Sequence, residues 1–385
     1  MTPDAQHGPD APDAQPGRFA VDPPVEPMLA KPIAGLPDSA DGLAFQPKWD
    51  GFRVLVYRRG DDVVIQGRMR AADAAATGSW DLSYAFPEMV QRIREMRAED
   101  LVLDGELVVI RDGRLAFDAL QGRLRPRKEE GGWKIAQLAA DFPTSFVAFD
   151  LVALDGRDLR DAPFGDRRVA LEAVMAGEEA PLHLTPQTED LEVAARWFAE
   201  LPGAGLDGLI ARPLVGTYAP GRRTLFKIKP SHTVDVVCAG WRPYKQPGPD
   251  GGEVVGSVLI GLYDEAGVLQ MIGAMSAFSM AARVELAERF APLAAGPEHP
   301  WFEPEGRAPG MPSRWSSGRS SAWYPLRPEL VAEVSYNQVE SGRLRHLASL
   351  VRWRPDKAAE DCTMDGLVVP EPLDIRRVLA DNSHI

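Results

Sequence analysis

The chain has 385 residues, with 43 Lys+Arg against 56 Asp+Glu and a net charge of −13. That length suggests two or three domains, and 45% hydrophobic residues supply material for their cores. Two cysteines, Cys238 and Cys362, exclude a disulfide-rich scaffold and a four-cysteine zinc site, and they fit a reducing compartment. No apolar run approaches the ~20 residues of a membrane span. The acidic balance weighs against nucleic acid as a partner, but a local basic groove is averaged away in a whole-chain charge.

In chain order, residues 1–20 are expected to be a disordered tail, because Met1 to Gly17 is Pro, Asp, Ala, Gln and Gly without the basic and apolar regions of a secretory signal. Arg53–Tyr57 and Val63–Ile65 flank Arg59-Gly60-Asp61-Asp62, which predicts a hairpin. Pro87–Met96 reads as a short helix. Leu101–Ile110 and Leu115–Phe117 face each other across Asp112-Gly113, and Ser145–Leu151 runs to a turn at Asp155-Gly156. Asp166–Met175 and Asp190–Glu200 read as helices, the second with Leu191, Ala194, Ala195 and Phe198 on one face. A strand at Leu225–Lys229 ends at Pro230-Ser231-His232, the best domain boundary. Short strands follow at 234–239, 254–263, 268–274 and 330–336, with a helix capped by Ser279. That pattern fits a small β-barrel, interrupted by a Gly/Pro/Ser-rich loop from Pro304 to Ser321. The class is α+β with antiparallel sheets and flanking helices.

The sharpest local signal is Gln46-Pro-Lys-Trp-Asp-Gly-Phe-Arg53. It puts a lysine at the end of one strand, a tight turn at Asp50-Gly51, and Arg53 at the start of the next strand. A lysine is a nucleophile only as the free amine, about one molecule in a thousand near pH 7.5 at an ordinary pKa of about 10.4. Neighbouring cations and desolvation favour that form, and Arg53, Lys227 and Lys229 are available neighbours. On spacing alone, an exposed lysine before a hairpin turn explains the pattern as well. Lys227 and Lys229 alternate with Phe226 and Ile228, so both lysines share one strand face.

Lys48-Trp-Asp-Gly-Phe-Arg53 resembles the KxDGxR signature of covalent nucleotidyltransferases: ATP-dependent DNA ligases, RNA ligases and capping enzymes. Further segments resemble later motifs of that family in the same order: Leu103-Asp-Gly-Glu-Leu107, Ala148-Phe-Asp-Leu151, Gly205-Leu-Asp-Gly-Leu-Ile-Ala-Arg212, Leu225-Phe-Lys-Ile-Lys229 and Arg352-Trp-Arg-Pro-Asp-Lys357. The length, together with Tyr218-Ala-Pro-Gly-Arg222, Val234-Asp-Val-Val237 and Gly342-Arg-Leu-Arg-His346, resembles the small stand-alone bacterial DNA ligases called type C. The chain departs from the family at Asp207, where Glu is usual, at Arg212, where Lys is usual, and before Arg68, where a serine is missing.

The resemblance implies an adenylation domain over 21–231, an OB-fold domain over 232–358 and a tail over 359–385. It implies that Lys48 takes AMP from ATP, that the 5′-phosphate of nicked duplex DNA takes it in turn, and that a 3′-hydroxyl then displaces it. Gln46, Lys48, Arg53, Arg68, Glu106, Phe149, Lys227 and Lys229 would hold the nucleotide, with Phe149 stacked on the base and Glu106 on the ribose. Asp207 and Glu106 would hold a divalent cation, Mg²⁺ or Mn²⁺. Lys48, Arg53, Lys227, Lys229, Arg354 and Lys357 would serve catalysis. Arg123, Arg125, Arg127, Arg343 and Arg345 would contact DNA phosphates, so binding would weaken with salt. A monomer at work in the cytoplasm, on nucleoid DNA in repair or recombination, completes the expectation. The alternatives are an RNA ligase or GTP-using capping enzyme and a non-catalytic OB-type binding protein. An NAD-dependent ligase would need a further N-terminal module.

Overall fold

The computed structural model describes residues 18–68, 80–124, 132–310 and 322–380. Arg125, Arg127, Ala71–Gly78 and most of the loop expected before Ser321 lie outside the described residues.

The first half of the chain supplies strands β1 (Leu29–Ile33), β2 (Leu43–Pro47), β3 (Phe52–Arg59), β4 (Asp62–Gly67), β5 (Asp100–Arg111), β6 (Arg114–Leu115), β7 (Thr144–Leu154), β8 (Arg157–Asp158), β9 (Leu182–Leu184), β10 (Leu209–Pro213) and β11 (Arg223–Ile228). Its helices are α1 (Pro87–Arg94), α2 (Phe117–Arg123), α3 (Gly132–Asp141), α4 (Phe164–Met175) and α5 (Leu191–Glu200). Two sheets form, one in the order β4-β3-β5-β7-β8 and a smaller one in the order β1-β11-β10-β2. Pairing is antiparallel except for β1 with β11 and β7 with β9.

β5 shows why residues 101–110 are almost continuously apolar. It lies between β3 and β7, and both its faces are covered. Leu101, Leu103, Leu107 and Val109 pack into the core beneath α1 and α4, while Val102 and Val108 enter cores on the opposite face. The expected helices at 87, 166, 190 and 279 all form, and Asp190 caps α5 by accepting from the Glu192 and Val193 amides. The segment expected as a strand at 115–117 ends after Leu115 and becomes α2.

The second half carries β12 (His232–Pro243), β13 (Val255–Tyr263), β14 (Leu269–Met275), β15 (Tyr324–Tyr336), β16 (Val339–Glu340), β17 (Arg343–Leu344) and β18 (Ser349–Trp353), with helix α6 (Met280–Phe290). Five strands pair antiparallel in the order β14-β13-β12-β15-β18. They enclose a separate core that includes Val236, Val258, Ile260, Ile272, Leu286, Phe290 and Val334.

The described parts of the two expected tails, residues 18–20 and 359–380, are folded. Phe19 and Val21 are buried against β3 and β5, within a core holding Tyr57 and Val102. Residues 359–380 are not a tail. They form two short 3-10 turns and α7 (Ile375–Ala380), which buries Ile375, Val378 and Leu379 against Trp197 and Leu201 of the first domain. The apolar spacing of Leu373, Ile375, Val378 and Leu379 was the available signal.

Candidate active site

β2 and β10 pair in register from Leu43–Pro213 to Pro47–Leu209. One residue further, the Lys48 amide donates to the Gly208 carbonyl (2.8 Å) and the Asp207 amide donates to the Lys48 carbonyl (3.0 Å). This backbone clasp puts the Lys48 ammonium 2.8 Å from Asp207 Oδ2. Gly208 has φ +115°, and a Cβ there would lie 2.2 Å from the Ile228 carbonyl oxygen, so only glycine fits. The close approach brings in the end of β11, and Lys229 Nζ reaches the same Asp207 oxygen at 2.8 Å. Burial alone would raise the Asp207 pKa; Lys48 and Lys229 overcome it and hold it at about 2.

Arg53 opens β3 opposite Glu106 of β5. Its guanidinium donates to both oxygens of buried Asp104 (2.9 and 2.6 Å) and to the Met28 carbonyl, and the Tyr218 hydroxyl donates to Asp104 as well. Arg53 is therefore fixed before any ligand arrives. Gly51 lies so close to β5 that a Cβ would meet the Leu107 carbonyl oxygen at 2.0 Å, and its amide donates to Glu106 Oε1. Burial raises the Glu106 pKa to about 7 against the opposing pull of Lys48 and Arg53.

Two guanidiniums lie close to the Phe149 ring, Arg53 at 5.2 Å and Arg212 at 5.1 Å from its centroid. Arg212 is held by Asp150 at 2.7 Å, and Asp150 is also gripped by Arg167 at 2.8 and 3.0 Å. Buried Gln46 donates its side-chain amide to Gln187 Oε1, and Trp49 donates its indole N–H to Thr185.

Gln46, Lys48, Trp49, Arg53, Glu106, Phe149 and Lys229 line one cleft of about 300 Å³, with Asp207 behind Lys48 and Lys229. Every residue expected to hold the nucleotide lies in its wall: Gln46, Lys48, Arg53, Arg68, Glu106, Phe149, Lys227 and Lys229. Arg212 and Arg223 join them. Arg223 carried no signal beyond its place in β11. Desolvation, with Lys229, Lys48 and other cations nearby, lowers the Lys227 pKa.

Other expected site residues stand elsewhere. Arg354 and Lys357 pair with Asp235 at 2.8 and 3.2 Å and do not line the cleft. Arg123, expected on an exposed basic loop, is fully buried in α2; it donates to both oxygens of Glu88 and to the Phe142 and Ala85 carbonyls. It is a structural arginine, because a buried guanidinium needs that many acceptors. Arg345, expected on DNA, is buried between the domains here. It pairs with Asp50, donates to Gln338 Oε1 at 2.8 Å and lies 3.4 Å from Asp207 Oδ1. Arg343, on β17, is half-buried.

Among the described residues no three His, Cys, Asp or Glu side chains cluster as a metal cage. Asp207, with its pKa lowered, and Glu106 in the cleft wall are each oxygen donors of the kind a hard cation takes together with phosphate oxygens and water. Lys48, Lys229 and Arg345 occupy the Asp207 oxygens in this structure.

A two-domain chain with this mixed-sheet first domain, an OB-like second domain and a cation-lined cleft is of the nucleotidyltransferase class. The chain belongs to the ATP-dependent DNA ligase family. Residues 27–229 match the ATP dependent DNA ligase domain, and residues 251–357 match the ATP dependent DNA ligase C terminal region. It is 42% identical over 357 residues to DNA ligase C2 of Mycolicibacterium smegmatis, covering 90% of this chain and 95% of that one. It is 40% identical over 364 residues to DNA ligase C of Mycobacterium tuberculosis, covering 92% and 96%. In structure it is similar to Pmar-Lig_PreS3, at a TM-score of 0.52 and 14% identity over 86% of this chain and 68% of that one, a likeness of fold. The protein is an ATP-dependent DNA ligase.

Proposed function

We propose that Lys48 is the residue that carries AMP, and that the substrate is nicked double-stranded DNA. The reading rests on one observation. The Lys48 amine lies at the mouth of a cleft whose walls hold Phe149, Glu106, Arg53, Lys227 and Lys229.

ATP would enter with its base against Phe149, near the Arg53 and Arg212 guanidiniums. Glu106 sits where a ribose hydroxyl can reach it, and its pKa of about 7 lets it accept or donate a hydrogen bond. Lys227 and Lys229 share the face toward the phosphates and offset the charge that grows on the α-phosphate. Neutral Lys48 Nζ attacks the α-phosphorus. The N–P bond forms, the bond from that phosphorus to the β-phosphate oxygen breaks, pyrophosphate leaves and the amine sheds a proton. A 5′-phosphate oxygen at the nick then displaces lysine from the phosphorus, and the 3′-hydroxyl displaces AMP in the last step.

A divalent cation, Mg²⁺ or Mn²⁺, would be held by Asp207 with help from Glu106, and would supply positive charge against the phosphates. The Asp207 carboxylate has a second task. Its Oδ2 holds the Lys48 amine at 2.8 Å, so the amine must leave that contact to reach the α-phosphorus.

Arg354 and Lys357 are assigned to catalysis through the family motif, in a domain arrangement other than this one. Arg343, Arg125 and Arg127 are assigned to DNA phosphates. The adenylation domain is assigned to 21–231 with Phe19 and α7 packed onto it, the OB domain to 232–358 with Ala359, Cys362 and Leu367 added to its core, and the enzyme acts as a monomer on DNA in the cytoplasm.

Incubation with α-labelled ATP and a divalent cation should label the wild-type chain and leave Lys48→Ala unlabelled. Persistence of label in Lys48→Ala would overturn the assignment. Sealing of a nicked duplex, with no sealing of the matching RNA, checks the substrate.

A further inference from the structure

The chain beyond residue 357 lies outside both matched family regions. It leaves the second domain and returns to the first. Ala359, Cys362 and Leu367 belong to the core of the second domain, and the Val368 amide donates to the Tyr336 hydroxyl. From Leu373 onward the chain belongs to the first domain. The Ile375 amide donates to the Gly113 carbonyl at 2.8 Å, and Ile375, Val378 and Leu379 fill the core beside Trp197, Leu201 and Ala204.

The connection between these anchors is residues 368–372, Val-Val-Pro-Glu-Pro. Its valines are 48% and 67% exposed. The Glu371 backbone passes so close to Gly203 that a Cβ there would lie 1.8 Å from its carbonyl oxygen. Five residues span at most about 17 Å, and Pro370 and Pro372 keep them extended. The tether has little slack. The two domains are thus joined at His232 and again here, and between the two joints Arg345 reaches Asp50 and Asp207. Pro370 of the tether lines the same small interdomain cavity as Asp50 and Arg345.

We propose that residues 368–380 are a strap that fastens the second domain in the arrangement where Arg345 caps Asp207. While the strap is docked, Asp207 is occupied by three cations and grips Lys48. Release of the strap lets the second domain and Arg345 withdraw, and Asp207 becomes available for the incoming nucleotide and its cation. The strap therefore restrains adenylation and sets how often the cleft is open. The inference rests on the reading of Lys48 and Asp207 given above.

Two full-length variants test it. Ile375→Asp with Leu379→Asp undocks the strap. Insertion of about ten Gly/Ser residues between Val369 and Pro370 adds slack and leaves every docked residue in place. Each is read by the distance between fluorophores on Glu189→Cys and Glu265→Cys, both exposed, and by single-turnover labelling with α-labelled ATP below saturation. The expected result is a longer, broader interdomain distance and labelling faster by at least about threefold, in proportion to the open fraction. An unchanged distance in the insertion variant overturns the strap whatever the labelling shows. A longer distance with unchanged or slower labelling overturns the restraint on adenylation. The distance needs no nucleotide, so a failure of the Lys48 assignment would show only in the label.

Discussion

Lys48 and Asp207 are 159 positions apart in the chain, yet each holds the other twice, through the backbone at the ends of β2 and β10 and through an ion pair of 2.8 Å. The amine that is to attack phosphorus is held in place by a carboxylate whose pKa is about 2. Loss of that carboxylate releases the amine and also removes the group proposed to receive the cation.

Asp207 has a folded pKa of about 2 against an ordinary 3.8. The sign follows from the lowered value. Its contribution is fully present above about pH 4 and is lost as the pH falls toward 2. It amounts to roughly 2 kcal/mol. Urea unfolding of wild type between pH 5 and 2.5 should show this loss, and Asp207→Asn should lack it. The same variant should form lysyl–AMP at least about a hundredfold more slowly at neutral pH.

Glu106 behaves in the opposite sense. Its pKa is raised from 4.5 to about 7, so the unfolded chain ionises first and the folded state loses stability as the pH rises from 4.5 to 7. Glu106→Gln should flatten that slope in the ligand-free protein. Equilibrium unfolding at several pH values, with the two proteins compared, measures the difference.

Phe149 lies beside Arg53 and Arg212, which are themselves anchored on Asp104 and Asp150, so its ring should serve as a firm platform for the base. Phe149→Leu should raise the ATP concentration needed for half-maximal adenylation about tenfold and change the saturated rate much less. Phe149→Tyr should stay near wild type. Labelling as a function of ATP concentration separates the two parameters.

Arg123 makes no surface for DNA. Arg123→Ala should leave the salt dependence of DNA binding unchanged, because no phosphate contact is removed. It should instead cost about 1–3 kcal/mol of stability by leaving the Ala85 and Phe142 carbonyls without this donor. Denaturant midpoints and binding isotherms at two salt concentrations check both halves.

Motif residues were legible because each sits at a strand end or turn that local sequence marks. Lys48 precedes Asp50-Gly51, Glu106 follows Asp104-Gly105, and Lys227 and Lys229 alternate on a strand. The burial of Arg123 and Arg345 was not legible, for one reason. Charge in a sequence reads as exposure, and burial of a charge depends on partners such as Glu88, Asp50 and Asp207, which only the fold brings near.

The sequence alone determined the strand and helix periods, the turn glycines and the order of the reactive groups, because these follow from backbone sterics and side-chain spacing within a few residues. Only the tertiary structure decided which carboxylate pairs with Lys48, that Phe149 lies beside two arginines, and that residues 373–380 return to the first domain. Those outcomes depend on contacts across more than a hundred residues, where Coulomb energy and apolar burial are set by distance in space and not along the chain.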